Sequence, residues 1–133
     1  MSDEYAFSTR TRVGFSDTDA QGIVYYGRYN PYFDLARVEY LRSLGFLHRE
    51  AGGEFVMRAN DVEYFAPARF DDEIEIHVRA RVGRTSMTFD FAAFKVPDGT
   101  LLVTAHQTLV FIDLERRRPI PIPDAYRLPF DVG

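Results

Sequence analysis

With 133 residues, 46% hydrophobic and 27% charged, the chain has the composition of one soluble globular domain, 1–133, long enough to bury a core. It contains no cysteine, which excludes a thiol nucleophile, disulfides and Cys-held metals, and its formal net charge of −4 speaks against nucleic acid as the main partner. No apolar run approaches membrane-spanning length, and the start, Met1-Ser2-Asp3-Glu4-Tyr5, is acidic with no hydrophobic segment, so neither an integral membrane segment nor a signal peptide is expected and a cytoplasmic location is the default.

Residues 6–15 predict an opening strand of weak alternation. A Gly-containing loop follows, Asp17-Thr18-Asp19-Ala20-Gln21-Gly22, and then a helix on which Tyr29, Phe33, Ala36, Tyr40 and Leu44 share one face. Gly45 stands where a left-handed C-cap would end it. Two starts fit this helix. Asn30-Pro31 is a cap and first-turn signal, and a start near Tyr26 would leave Pro31 inside the first turns.

Beyond Gly52-Gly53, four strands are predicted, over 54–65, 72–82, 85–96 and 101–112. The second alternates strictly, with Ile74, Ile76, Val78, Ala80 and Val82 opposite Glu73, Glu75, His77, Arg79 and Arg81. Alternation slips at Ala92-Ala93, which predicts a bulge, and Asp98-Gly99 is a hairpin turn. The tail Pro119-Ile120-Pro121-Ile122-Pro123 is too rich in proline for a central strand. One strand, one long helix and four strands on short turns make an α+β domain, an antiparallel five-stranded sheet with a single covering helix and an open edge suited to self-association.

The chemistry concentrates in residues 15–30. A carboxylate in a loop ahead of a helix start, where free amides and the dipole favour negative charge, can hydrolyse an activated acyl group. The spacing D-x-D-x-x-G also imitates a calcium loop, but the twelfth position counted from Asp17 is Arg28 rather than Glu, and no metal is expected. His48, His77 and His106 are scattered and fit no zinc pattern, and are read as surface or interface imidazoles. No G-x-S-x-G nucleophile elbow occurs, although Ser86 is a candidate to hydrogen-bond substrate or water. Because two neighbouring carboxylates repel, one of Asp17 and Asp19 is read as loop support and the other as the working group.

The block Asp17-Thr18-Asp19-Ala20-Gln21-Gly22-Ile23-Val24-Tyr25-Tyr26, with Tyr29 and Tyr32-Phe33-Asp34-Leu35-Ala36-Arg37, resembles the hotdog-fold thioesterases of the 4-hydroxybenzoyl-CoA thioesterase type, and within them the Tol–Pal-associated acyl-CoA thioesterases. Val62-Glu63-Tyr64-Phe65-Ala66-Pro67-Ala68-Arg69-Phe70-Asp71-Asp72 is similar to their second-strand segment, and the likeness runs from about residue 8 to about residue 125. It implies a hotdog fold, a sheet wrapped around one long helix, and hydrolysis of an acyl-CoA thioester with Asp19 as base or nucleophile. Tyr26 and Gly27 are implied to supply oxyanion donors, with Tyr26 standing where Tol–Pal-type members usually carry His. Asp17, Gly22, Tyr25, Tyr29, Arg84, Ser86 and Arg117 are the candidate substrate-binding set, with Tyr25 and Tyr29 read as lining an acyl pocket and the likeness implying a CoA role for Arg84 and the Arg116-Arg117-Arg118 run. No cofactor is expected, since coenzyme A is part of the substrate, and a homodimer or homotetramer with sites at the dimer interface is implied. The alternatives are a non-catalytic acyl-CoA or lipid-binding module, an acyl-carrier-protein thioesterase, and, with less support, a hydroxyacyl dehydratase.

Overall fold

A computed structural model describes residues 5–45 and 53–131. Strand β1 (Phe7–Arg12) leads through two single turns of 3-10 helix, Phe15–Asp17 and Tyr26–Arg28, into helix α1 (Tyr29–Ser43). Strands β2 (Gly53–Tyr64), β3 (Glu73–Val82), β4 (Ser86–Val96) and β5 (Thr100–Asp113) follow, and a short helix α2 (Asp124–Asp131) ends the described chain. The strands form one antiparallel sheet in the order β1-β3-β4-β5-β2. Tight turns keep β3, β4 and β5 adjacent, so β1 and β2 occupy opposite edges. Helix α1 joins those two edges and has to cross the face of the sheet.

The crossing is held by aromatic and aliphatic burial. Phe33 and Ala36 are fully buried, and the ring of Phe33 lies 5.0 Å from that of Phe91. From the sheet come Ile74, Ile76, Val78, Met87, Phe89 and Phe91, the inward half of the alternation expected for β3 and its counterpart on β4. Helix α1 ends as predicted, with Gly45 at φ +79°, a conformation that costs glycine little and other residues more. At its start, Arg28 rather than Asn30 holds the cap position, and the turn Tyr26–Arg28 runs straight into α1. Pro31 therefore falls in the first turn, where its missing N–H leaves no intrahelical bond unmade. Asn30 instead accepts a hydrogen bond from Asn60 of β2 at 3.1 Å.

The β4 register shifts between Ala93 and Phe94, beside the expected slip, and Asp98-Gly99 forms the hairpin turn. The tail corrects the sequence reading. Its prolines do keep it out of the sheet apart from one bridge, Ile112 to Pro119, but Ile122 and Tyr126 are buried, and α2 had no predicted counterpart. Tyr126 packs on Phe55 and Phe111 and closes one end of the core. His48 and Gly52 lie outside the described residues.

The sheet face turned away from α1 carries a charge cluster. Asp90 is almost fully buried and accepts hydrogen bonds from Arg79 (3.0 Å), Arg81 (3.1 Å) and His106 Nδ1 (2.6 Å). His77 is buried too, against Glu75 at 2.9 Å and Phe94, which goes against the surface half of the surface-or-interface reading. Burial pushes the Asp90 carboxyl up, but the bonds from His106, Arg79 and Arg81 outweigh it and hold it below the ordinary carboxylate range. A carboxylate depressed in the folded state contributes stability that is complete above its unfolded pKa of about 3.9 and is lost as pH falls through the folded value.

Two outcomes are expected. Phe33→Ala lowers unfolding stability by about 3–5 kcal/mol in denaturant titration, because nothing adjacent can fill the void at the helix–sheet contact. The wild type loses stability on acidification below about pH 4, whereas Asp90→Asn is already less stable at neutral pH and its melting temperature changes less across the same acid interval.

Candidate active site

The loop from Gly14 to Arg28 is organised by its two aspartates, which do different things. Asp17 has its oxygens engaged on all sides. Oδ2 accepts from the Gly14 amide at 3.1 Å and the Tyr32 hydroxyl at 2.7 Å, and Oδ1 accepts from Arg28 Nε at 3.1 Å and Nη2 at 2.8 Å. Burial raises the Asp17 carboxyl, yet the bonds from Tyr32, Arg28 and Gly14 prevail and keep it below the ordinary range. Burial and the adjacent Asp17 push the Tyr32 phenol well up, so it remains a donor to Asp17 throughout the working pH range. The reading of Asp17 as support for the loop matches this geometry.

Asp19 is exposed. Its Oδ1 accepts from the Gln21 amide at 2.8 Å and the Ile23 amide at 3.4 Å, while its backbone N–H donates to the Ile23 carbonyl at 2.9 Å. Gly22, at φ +79°, provides the left-handed residue that closes this tight reversal. One oxygen thus orients the carboxylate and the other, Oδ2, is left without a hydrogen-bond partner among the described residues.

After the reversal the chain is stitched to the β2–β3 connection. The Val24 amide donates to Ala68 at 2.9 Å, and Ile23 bridges to Arg69. Tyr25 caps the turn Tyr26–Arg28, its carbonyl accepting from the Arg28 amide at 3.0 Å. The amides of Tyr26 and Gly27, the first two of this helical run, donate to no acceptor among the described residues, as expected of a helix start. They stand at the positive end of the dipole of α1. Beside them opens a cleft of about 320 Å³ lined by Ile23, Val24, Tyr26, Tyr29, Tyr64, Phe65, Ala66 and Pro67. The Tyr26 ring lies 4.8 Å from that of Tyr64, which is 5.8 Å from that of Tyr29. Burial pushes the Tyr29 phenol up, against a bond from the backbone of Ala68.

Of the residues singled out from the sequence, Tyr26 and Tyr29 line the cleft, and Gly27 follows Tyr26 in the turn. Asp17, Asp19, Gly22 and Tyr25 build the loop that leads to it. Arg84, Ser86 and Arg117 are not brought there within one chain. Ser86 pairs with Val110 and Tyr64 with Val103, seven positions apart on β5, or about 23 Å along the strand. Arg84 sits in the β3–β4 turn at that far end, its carbonyl accepting from Ile122, and Arg117 follows β5 with φ +59°. Sequence reasoning gave no role to Tyr64, Phe65 or Arg28. Tyr64 and Phe65 had been read as strand residues and, within Val62–Asp72, as family likeness, and the one local signal for Arg28 was an arginine a few residues past the D-x-D pair.

The thioesterase-like superfamily model matches residues 13–130. The acyl-CoA thioester hydrolase YbgC of Escherichia coli O6:H1 is 36% identical over 121 residues, covering 88% of this chain and 90% of its own. A crystal structure of an Aquifex aeolicus protein superposes with a TM-score of 0.85 at 32% identity, covering 94% of this chain and 99% of that one. The structure of a gentisyl-coenzyme A thioesterase superposes with a TM-score of 0.81 at 28% identity, covering 93% and 99%. These likenesses bear out the hotdog architecture expected from the sequence, five antiparallel strands wrapped around one long helix. With a family match spanning nearly the whole described chain and a curated relative this similar over most of its length, the chain belongs to the thioesterase-like superfamily.

Proposed function

We propose that the chain hydrolyses acyl-CoA thioesters to the free acid and CoA at the cleft beside Tyr26. The observation that carries this reading is the pair of unpartnered amides at Tyr26 and Gly27, opening beside an apolar cleft, with Asp19 on the same loop keeping one free oxygen. The activity named for the similar E. coli protein supports the same choice of substrate.

In the base route, Asp19 takes a proton from water as the hydroxide forms a bond to the thioester carbon. The carbonyl electron pair moves to oxygen, where the Tyr26 and Gly27 N–H groups stabilise it. Collapse breaks the C–S bond, and the thiolate leaves with the proton that Asp19 held. In the nucleophilic route, Asp19 itself attacks and expels the thiolate, and water then hydrolyses the mixed anhydride. Both routes use the same two amides and the same free oxygen. Neither calls on a cofactor, since CoA enters as part of the substrate.

The assembly proposed for this chemistry is a homo-oligomer in the cytoplasm. Edge strand β2 is unpaired on one side among the described residues and exposes Val56 and Met57, surface that a second copy would cover. Arg84 and Arg117 then serve CoA from the facing subunit, with Ser86 beside them to hydrogen-bond substrate or water.

Asp19→Asn is expected to lower kcat by at least about 10²-fold on every thioester the wild type hydrolyses, with an unchanged melting temperature, since the amide oxygen can still accept from Gln21. Retention of wild-type turnover by this variant, measured by thiol trapping, would remove Asp19 from the mechanism.

A further inference from the structure

Tyr64 ends β2, the edge strand, and reaches across to the turn that starts the helix. Its hydroxyl donates to the Tyr26 carbonyl at 3.3 Å, and its ring packs against those of Tyr26 and Tyr29. The Tyr26 carbonyl already accepts from the Tyr29 amide, so it holds two donors. That carbonyl and the Gly27 N–H are the two ends of one peptide group. A donor placed on the oxygen draws density from the nitrogen and makes its N–H a stronger donor.

We infer that Tyr64 is a positioning residue for thioester hydrolysis, its hydroxyl polarising the Tyr26–Gly27 peptide so that the Gly27 N–H holds the developing oxyanion more tightly. This rests on the reading of Tyr26 and Gly27 as oxyanion donors. At 3.3 Å the bond is long for O–H···O. As the substrate oxygen gains charge, the Gly27 N–H donates to it, the Tyr26 oxygen becomes more negative, and the Tyr64 bond strengthens. The gain falls on the transition state rather than on bound substrate, so it acts on kcat. The bond to Tyr29 is part of the helix and is fixed with it. Tyr64 supplies the adjustable one.

The test uses the full chain, with Tyr64→Phe, replacement of Tyr64 by 3-fluorotyrosine, and Asp19→Asn as reference, on one acyl-CoA the wild type hydrolyses, at a pH where the phenols stay protonated. Tyr64→Phe keeps the ring and the cleft wall and loses only the hydroxyl. The expected result is a fall in kcat of about 3–10-fold with KM and melting temperature unchanged, the size of one lost neutral hydrogen bond. The fluorinated phenol, a stronger donor, is expected to raise kcat above that of the wild type. A Tyr64→Phe enzyme with wild-type kcat, or one whose defect lies in KM or in thermal stability, overturns the inference while an inactive Asp19→Asn leaves the hydrolytic reading standing. Equal turnover by Asp19→Asn and wild type would instead remove that reading itself.

Discussion

The bonds made by the Asp17 carboxylate fix the site. They tie the end of the β1 strand region, through the Gly14 amide, to the helical turn, through Arg28, and to the first turn of α1, through Tyr32. A neutral side chain in this place could not take two guanidinium bonds and a phenol at once. With the carboxylate there, the segment between Gly14 and Arg28 is held at both ends. The reversal at Asp19–Ile23 is then a short, closed excursion from a fixed base, and the turn that carries the Tyr26 and Gly27 amides is held beside the cleft that Tyr26 lines. The negative charge of Asp17 is satisfied locally, which leaves Asp19 as the carboxylate of the pair with an oxygen to offer.

The topology explains why the cleft forms where it does. Because β1 and β2 lie at opposite edges, α1 must cross the sheet, and its start comes to rest beside the end of β2. Asn60 and Tyr64, both on β2, bond to Asn30 and Tyr26 at that start. The edge strand therefore shapes the site as well as offering surface to a partner. Aromatic side chains from the helix start and the strand end meet there and make the cleft apolar, while the hydroxyls of Tyr64 and Tyr29 bond to the backbone and that of Tyr32 to Asp17.

Much of this was legible in the residues themselves. The strict alternation of residues 73–82, the helical spacing from Tyr29 to Tyr40 and the stop at Gly45 all depend on local periodicity, and local periodicity is what a sequence displays. That one aspartate of the pair is held while the other works followed from charge repulsion, and the choice of Asp19 as the working one came from the family resemblance. The start of α1 was ambiguous because Asn30-Pro31 is a good cap signal in isolation; the 3-10 turn before it is decided by tertiary bonds from Asp17 and Tyr64, at sequence separations no local pattern records. For the same reason Tyr64 read only as a strand residue and His77 as a surface or interface one. The helix at Asp124 was hidden by the prolines ahead of it, which suppress strand but leave the apolar positions Ile120, Ile122 and Tyr126 free to cover the core.

On the proposed reading, free amides, an oriented carboxylate and an apolar cleft turn over acyl thioesters, where a binding module would only retain them. The most direct test is release of free CoA by the wild-type chain from a panel of short, long and aromatic acyl-CoAs, followed by thiol trapping over many turnovers. The account predicts continuous release, proportional to protein concentration, from at least one member of the panel. Saturable binding of those acyl-CoAs with no thiol released from any of them would contradict it.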